Sequence, residues 1–236
     1  MHASIIEPLK GVSVATLSTA LFKRGLRNQT LQGVGPVMPK GQIMVGPAYT
    51  LRTIPAREDL NGIDVFRDPE HPQRRAIEQC PSGHVMVIDS RNDPRAASAG
   101  SILITRLMVR GAAGIVTDGG FRDSPEIGKL EIPAYHQRPS APTNLTRHQA
   151  IDIDVPIGCG DVAVFPGDII VGDDEGVIVI PAELAEEIAA EAVEMTAFED
   201  FVTEKVKGGR SIVGLYPPTD ERSLKDFAAW REKNGR

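Results

Sequence analysis

The segment of residues 85–126 constrains the fold of this chain more than any other part of it. It begins with an apolar strand at residues 85–89, which runs into a turn rich in glycine, serine and alanine at residues 96–100. A helix over residues 101–110 and a second apolar strand over residues 114–117 follow, and the sequence Asp-Gly-Gly-Phe-Arg-Asp comes directly afterwards. This order predicts a β-α-β unit with parallel strands, whose carboxyl ends meet at the sheet edge where ligands bind.

The residues around the start of the helix predict a binding site for a small anion. Gly100 would let a ligand approach the backbone closely, and Arg122 can bind a carboxylate or a phosphate through two hydrogen bonds. The first turn of the helix adds unpaired backbone N–H groups, those of Ser101, Ile102 and Leu103. Because all of these groups favour negative charge, we expect a small carboxylate or phosphate to bind here.

Two acidic residues beside this anion site indicate a divalent cation. Asp123 directly follows Arg122, and a hard cation such as Mg²⁺ or Mn²⁺ would bridge its carboxylate to the bound anion. Glu126 lies three residues further on and could hold a water bound to the metal. In the alternative interpretation Asp123 caps a turn and Arg122 forms a surface ion pair, which would contribute little to stability.

The same residues resemble the RraA-like family, which includes the regulator of ribonuclease activity A and the 4-hydroxy-4-methyl-2-oxoglutarate (HMG) and 4-carboxy-4-hydroxy-2-oxoadipate aldolases. The resemblance rests on Gly-Ser-Ile-Leu at residues 100–103, Gly-Gly at 119–120 and Arg-Asp-x-x-Glu at 122–126, with supporting matches at 45–51 and 156–181. It extends from about residue 16 to residue 209. It implies an α/β fold, the αββα sandwich of the swivelling β/β/α type, in a homotrimer or a hexamer with active sites between subunits.

For the aldolase branch, the resemblance implies roles for individual residues. The amides of residues 101–103 and Arg122 would bind the pyruvate part of the substrate, Asp123 would ligate the metal, and Glu126 matches an acidic residue of the aldolase motif. An acidic residue at about the place of Glu199 reaches the site of a neighbouring subunit in these aldolases. The chain departs from the aldolase pattern at Ser101, where the aldolases usually carry an acid close to the metal-bound water. This departure bears on the proton-transfer step and on the substrate.

Composition and charge argue against several classes of protein. The net charge of −6 over 236 residues disfavours a nucleic-acid-binding surface, and no apolar run approaches the length of a membrane span. The N-terminal sequence lacks the pattern of a signal peptide. Cys80 and Cys159 have no metal-site spacing and are expected to be reduced thiols. We therefore expect a cytoplasmic protein that binds neither nucleic acid nor a membrane. The resemblance implies a small 2-oxo acid as its partner.

The remaining sequence predicts one domain over residues 1–236, with a C-terminal helical extension over about residues 182–236. Helices are predicted at residues 13–25, 74–79, 181–207 and 221–233. Strands are predicted at residues 45–53, 152–156 and 161–164, with a hairpin formed by residues 169–171 and 177–180. Residues 55–72 are expected to form a loop over the site or an oligomer contact, and residues 132–145 an extended crossing segment.

Other catalytic chemistries find little support. A Schiff-base aldolase needs a desolvated lysine, and none of Lys23, Lys40 and Lys129 lies within an apolar strand. The histidines are scattered without the clustering of a zinc site. Arg52 and Arg57 flank the end of a predicted strand, and either could meet the far end of an acidic substrate.

We expect a divalent-metal-dependent lyase of the class II pyruvate aldolase type, with Arg122, Asp123 and Glu126 as its catalytic residues. It would cleave a small 4-hydroxy-2-oxo acid to pyruvate and decarboxylate oxaloacetate as a side activity, because the metal stabilises the enolate charge that both reactions develop. Two alternatives stay open. The first is a non-catalytic regulator of ribonuclease E, which Ser101 favours and Glu126 disfavours. The second is a lyase or dehydratase that acts on 2-oxo acids derived from sugar acids.

Overall fold

The computed structural model of this protein describes residues 3–236. Its strands are β1 (Gly35–Pro36), β2 (Met44–Pro55), β3 (Val85–Ile88), β4 (Ala97–Ala99), β5 (Gly114–Thr117), β6 (Gly120–Phe121), β7 (Ala134–His136), β8 (Arg138–Pro139), β9 (His148–Ile153), β10 (Ile157–Cys159), β11 (Val162–Val164), β12 (Ile169–Asp173) and β13 (Gly176–Ile180). Its α-helices are α1 (Ala3–Leu9), α2 (Val14–Lys23), α3 (Pro72–Gln79), α4 (Ser101–Val109), α5 (Ser124–Ile127), α6 (Ala185–Lys207) and α7 (Glu221–Asn234). Short 3₁₀ turns lie at Ile63–Arg67, Asn144–Thr146 and Ala182–Leu184.

A sheet of eight strands organises the fold, and β2 runs through both of its halves. The order of hydrogen-bonded strands is β1-β7-β5-β3-β2-β12-β13, and β9 pairs with the far end of β2. The strands β2, β3, β5 and β7 are parallel, whereas β12 and β13 form an antiparallel hairpin against the first residues of β2. Because β2 pairs with β12 at its start and with β3 and β9 further on, it connects the two halves.

Three apolar clusters show how the layers pack. The first lies between the β12–β13 half of the sheet and the helices α1, α2 and α6. The second lies between the two halves of the sheet and includes the hairpin β10–β11. The third lies between β3, β5 and the helices α3 and α4. Two β-layers with helices outside each of them form the predicted αββα sandwich of the α/β class.

Alternation along single strands explains why this layering forms. Val85 and Val87 of β3 face the central cluster, whereas Met86 and Ile88 face α3 and α4. All four side chains are buried. Strands covered on both faces are expected to be continuously apolar, as this one is.

Most of the predicted elements are confirmed. The β-α-β unit is present, because β3 and β5 pair in parallel with α4 between them in the chain. The helix predicted at residues 13–25 is α2, which begins after Ser13, whose side chain accepts a hydrogen bond from the backbone of Thr16. The predicted hairpin at residues 169–180 is β12 and β13.

Several details of the predicted secondary structure were wrong, and the short strands β1, β6, β7, β8 and β10 were not predicted as strands. The strand predicted at residues 152–156 is β9, which starts four residues earlier and ends before Asp154, whose φ of 58° departs from strand geometry. The turn at residues 96–100 contains the short strand β4. The helix α1 was not predicted, and Pro8 inside it weakens the helical signal of its sequence.

The C-terminal helices attach to the sandwich in two different ways. The helix α6 contributes Ile188 and Ala192 to the first cluster, so it belongs to the core of the sandwich. The helix α7 packs on α6 through aromatic contacts of Phe227 and Trp230 with Phe201. The domain bounds given above, with an extension over about residues 182–236, stay a prediction. In residues 3–236, no helix is both long enough and apolar enough to span a membrane.

Candidate active site

Two short parallel strands bring the start of α4 next to the predicted arginine. The strand β4 pairs with β6, and Ala99 lies opposite Phe121. The backbone N–H of Arg122 then donates to the carbonyl of Ala99 at 3.1 Å. Gly100 and Arg122 therefore lie side by side, as the sequence predicted from the parallel strand ends.

Gly100 is the residue that lets these two segments approach each other. A Cβ atom at this position would lie 2.8 Å from Cγ of Arg122 and 3.0 Å from Oδ2 of Asp123. The backbone of Gly100 is extended, with φ −128° and ψ 178°, so any residue could adopt its conformation. Glycine is needed here for the close contact and not for its backbone freedom.

The Asp123 carboxylate faces the start of α4. Its Oδ2 atom accepts hydrogen bonds from the backbone N–H of Ser101 at 3.3 Å and from the Ser101 hydroxyl at 3.2 Å. Asp123 adopts a left-handed backbone conformation with φ 58°, which aspartate tolerates better than most residues. The helix-start amides that remain for a ligand are therefore those of Ile102 and Leu103.

The Arg122 guanidinium keeps its hydrogen-bonding capacity. Its Nε lies 3.8 Å from Oδ2 of Asp123, and both side chains are close to half exposed. Such a long, solvated contact contributes little to stability and does not occupy the hydrogen-bond donors of the guanidinium. Arg122 can therefore bind an anionic ligand beside Asp123.

These groups line one cleft with a volume of about 370 Å³, a size typical of small-molecule sites. Its lining includes side chains that the sequence analysis did not select as site residues, among them Ile63, Phe66 and Arg74. It also includes the selected residues Ile102, Arg122 and Asp123. The segment of residues 55–72, predicted to lie over the site or to form an oligomer contact, supplies Ile63 and Phe66. Gln73 fixes the start of α3 to the floor, because its side-chain amide donates to the Ser98 carbonyl at 2.8 Å.

Comparison with known proteins identifies the family. A model of the RraA-like family, described as Aldolase/RraA, matches residues 14–179. The chain belongs to the RraA-like family. A relative from Halalkalibacterium halodurans, which carries the provisional name 4-hydroxy-4-methyl-2-oxoglutarate aldolase, is 30% identical over 195 residues, covering 83% of this chain and 85% of the relative.

Solved structures share the RraA-like fold. The crystal structure of Streptomyces coelicolor RraAS2, described as an unusual member of the RNase ES inhibitor RraA protein family, has a TM-score of 0.73 and 29% identity, covering 84% of this chain and 94% of that chain. An uncharacterised protein from Pseudomonas syringae pv. tomato has a TM-score of 0.77 and 25% identity, covering 89% of this chain and 95% of that chain.

The donor atoms of the RraA-like cleft fit a cation that needs few protein ligands. In residues 3–236, no group of three or more His, Cys, Asp or Glu side chains is arranged to hold a metal ion. Among the residues that the structure describes, Asp123 is the one acidic residue that lines the cleft. Mg²⁺ is commonly held by one or two carboxylates and takes its other oxygens from water and substrate. A single aspartate beside an anion site fits this pattern and does not fit a zinc centre.

Two predicted site residues lie outside the cleft. Glu126 on α5 is exposed, and its carboxylate pairs with Lys129 at 2.8 Å. Glu199 on α6 accepts a hydrogen bond from the Thr16 hydroxyl at 2.8 Å, beside the first apolar cluster. The structure does not bring either residue to Asp123 within one chain, and their roles in catalysis stay predictions.

The two arginines considered for the far end of a substrate also lie elsewhere. Arg52 lies 3.8 Å from Asp152, and half of its side chain is exposed. Arg57 forms an exposed ion pair with Asp59 at 2.6 Å. Neither lines the cleft that Arg122 and Asp123 share.

Behind the cleft floor lies a buried hydroxyl cluster that sequence analysis missed. The hydroxyl of Ser98 is within 2.6 Å of the Ser90 hydroxyl and 2.8 Å of the Thr117 hydroxyl. The backbone N–H of Gly119 donates to the Thr117 hydroxyl at 3.0 Å. Because Ser98 lies within β4, Thr117 ends β5 and Ser90 follows β3, the cluster ties β4 to the ends of β3 and β5. No motif marks three residues so far apart in the sequence.

His136 supports the strand that leads to Arg122. Its Nδ1 accepts a hydrogen bond from the Phe121 backbone N–H at 3.3 Å, and the two rings stack with centroids 5.5 Å apart. Burial lowers the pKa of His136 to about 4. The neutral ring is therefore the form that supports β6.

We expect His136 to make folding sensitive to acid. Between pH 6.5 and 4 the His136 side chain is protonated in the unfolded chain but stays neutral in the folded chain. The free energy of unfolding therefore falls as the pH falls. Asp89 acts in the opposite direction, because burial raises its pKa to about 6 and the folded chain protonates first.

Substituting His136 separates its effect on acid stability from that of Asp89. His136→Asn keeps an acceptor for the Phe121 amide, and its stability relative to the native protein should rise by about 2 kcal/mol between pH 7 and pH 5. Urea unfolding at both pH values measures this difference, with His84→Asn as the control. An unchanged difference would mean that His136 is not held neutral.

Proposed function

We propose that this protein is a divalent-metal-dependent lyase that cleaves a small 4-hydroxy-2-oxo acid and releases pyruvate. The observation that carries the proposal is the placement of the Asp123 carboxylate between the Arg122 guanidinium and the start of α4, in one cleft of small-molecule size. Membership of the RraA-like family and the likeness to the Halalkalibacterium halodurans relative support this reaction class.

Each residue of the cleft has a defined task in this reaction. Arg122 and the free amides of Ile102 and Leu103 bind the C1 carboxylate of the substrate, which fixes its 2-oxo group beside Asp123. Asp123 holds Mg²⁺ or Mn²⁺, which when bound supplies a Lewis acid for the negative charge that develops on the 2-oxo oxygen. Ser101 keeps the carboxylate oriented through its hydroxyl and backbone N–H. Phe66 and Ile63 cover one wall and reduce access of water.

The same residues would serve a second reaction. Loss of carbon dioxide from oxaloacetate places negative charge on the same 2-oxo oxygen, so decarboxylation of oxaloacetate is the expected side activity. HMG is the first 4-hydroxy-2-oxo acid to test, because the Halalkalibacterium halodurans relative carries its name.

The proposed enzyme is a homotrimer or a hexamer. In that assembly Glu199 of one subunit would reach the cleft of another, as the resemblance to the aldolases implies. Within the chain the Glu199 carboxylate accepts a hydrogen bond from the Thr16 hydroxyl. Glu126 is kept as a candidate for proton transfer, a role that would require its surface ion pair with Lys129 to open.

A regulator of ribonuclease E is the second candidate. The observation that favours it is Ser101, a neutral residue where the aldolases usually carry an acid, together with the likeness to RraAS2. The remaining alternative, a lyase or dehydratase that acts on 2-oxo acids derived from sugar acids, would use the same Arg122 and Asp123.

The deciding experiment is pyruvate release from oxaloacetate and from HMG, coupled to lactate dehydrogenase, with Mg²⁺, with Mn²⁺ and with EDTA. We expect metal-dependent turnover that EDTA abolishes and that Arg122→Ala lowers by about 10²-fold or more, because the substrate carboxylate loses its bidentate partner. Arg52→Ala is the matched control, since Arg52 lies outside the cleft. If no turnover is observed and the protein captures ribonuclease E in a pull-down, the lyase proposal is overturned in favour of the regulator.

A further inference from the structure

The cleft contains a second arginine whose charge is not matched. Arg74, on the first turn of α3, lines the same cleft as Arg122 and is only partly exposed. Neighbouring arginines are paired with acids, and these pairs are Arg57 with Asp59, Arg67 with Asp64 and Arg75 with Glu70. Among the residues that the structure describes, Arg74 has no carboxylate partner.

The surroundings of Arg74 hold it in place without using its hydrogen-bond donors. Its guanidinium lies over the ring of Phe66 at 4.5 Å from the centroid. Stacking engages the face of a guanidinium and leaves the N–H groups at its edge available. The preceding residue, Gln73, is fixed to the cleft floor by its hydrogen bond to the Ser98 carbonyl. Arg74 is therefore a positioned cation with free donors.

The charges of the cleft then fit a ligand with an anionic group at each end. Arg122 with the helix start binds one end, Asp123 lies beside it, and Arg74 lines the same cleft from a different element, α3. Ile63, Phe66 and Ile102 supply apolar surface in the same cleft. A monoacid would leave Arg74 without a partner, whereas a diacid would satisfy both guanidinium groups.

We propose that Arg74 binds the distal carboxylate of the substrate and makes the site selective for 2-oxo diacids over 2-oxo monoacids. This inference rests on the proposed function for the orientation of the substrate, with its 2-oxo acid end at Arg122. Arg74 is thus a specificity-determining residue, and it replaces Arg52 and Arg57 as the contact for the far end of the substrate.

Binding of two non-cleavable acids of equal chain length tests the proposal. The probes are 2-oxoglutarate and 2-oxopentanoate, which differ only in a terminal carboxylate or methyl group, titrated calorimetrically with Mg²⁺ present. We expect the native protein to prefer 2-oxoglutarate by about 10- to 30-fold, as one charge-assisted contact provides. Arg74→Ala should remove this preference and leave binding of 2-oxopentanoate unchanged, and Arg74→Lys should retain part of it.

Two further variants separate the possible failures. Arg122→Ala should weaken both acids equally, and Arg67→Ala, which removes an exposed arginine paired with Asp64, should change neither. Any of three results would overturn the role of Arg74. The preference could persist in Arg74→Ala, that substitution could weaken both acids equally, or the native protein could show no preference. A preference that depends on Arg74 in a protein without pyruvate-releasing activity would instead overturn the proposed lyase and leave the selectivity intact.

Discussion

Replacing Asp123 with asparagine should abolish metal-dependent release of pyruvate while leaving the fold intact. Asparagine tolerates the left-handed conformation at this position and can still accept the hydrogen bonds from Ser101. It removes the carboxylate that, within residues 3–236, is the one lining the cleft. Because the charge stabilisation supplied by a catalytic cation amounts to several kcal/mol, kcat/KM should fall by about 10³-fold.

The measurement is steady-state turnover of oxaloacetate as a function of Mg²⁺ concentration, with thermal unfolding recorded alongside. Asp152→Asn is the matched control, since Asp152 is a half-exposed aspartate that faces Arg52 outside the cleft. We expect the control to retain the native rate and the same Mg²⁺ dependence. An Asp123→Asn variant with the native rate and the native Mg²⁺ dependence would remove Asp123 from the reaction and with it the proposed mechanism.

The part of the site that could be predicted from sequence is the part built by local pattern. The strand, turn, helix and strand of residues 85–117 are each marked by apolar periodicity, and the direction of parallel strands places Gly100 beside Arg122. The pairing that locks them together was not foreseen, because the Ala-Ser-Ala sequence of β4 has little strand propensity by itself. It forms a strand because β6 offers a partner in register.

Residues 55–72 were expected to lie over the site or at an oligomer contact, but the side chains that line this wall of the cleft could not be predicted, because they depend on tertiary contacts between distant segments. Phe66 belongs to the segment of residues 55–72, which is rich in charge and turn formers, and Arg74 begins the helix predicted at residues 74–79. No periodicity distinguishes Arg74 from Arg75. What separates them is the structure around each side chain. Arg75 meets Glu70 at 3.5 Å, whereas Arg74 stacks on Phe66 in the cleft.

The placement of Glu126 shows a limit of spacing arguments. A glutamate three residues after Asp123 could share a face with it if both belonged to one regular helix. Asp123 instead has a left-handed backbone directly before α5, and its carboxylate turns back to Ser101. Glu126 points to Lys129 at the surface. The backbone conformation of a single residue therefore separates two acids that the sequence places together.

Gly100→Ala should impair catalysis strongly although it adds only one methyl group. The new Cβ would lie 2.8 Å from Cγ of Arg122, closer than such atoms normally approach, and 3.0 Å from Oδ2 of Asp123, a tighter contact than most. Both side chains must move, and they are the two that bind the substrate and the cation in the proposed mechanism. A displacement of about 1 Å at reacting groups can cost about 10²-fold in rate, so we expect kcat/KM to fall by that order.

The contrast with Gly62→Ala isolates this steric effect. Gly62 has φ −67°, precedes the 3₁₀ turn that borders the cleft, and has open space around the position of a Cβ. Its substitution should leave the pyruvate-release rate unchanged, whereas Gly100→Ala should lose activity with little change in the thermal unfolding midpoint, because its extended backbone accommodates alanine. If Gly100→Ala keeps native activity while Asp123→Asn is inactive, the cleft adapts to the added methyl group. Catalysis would then depend on the Asp123 carboxylate but not on its close packing against the start of α4.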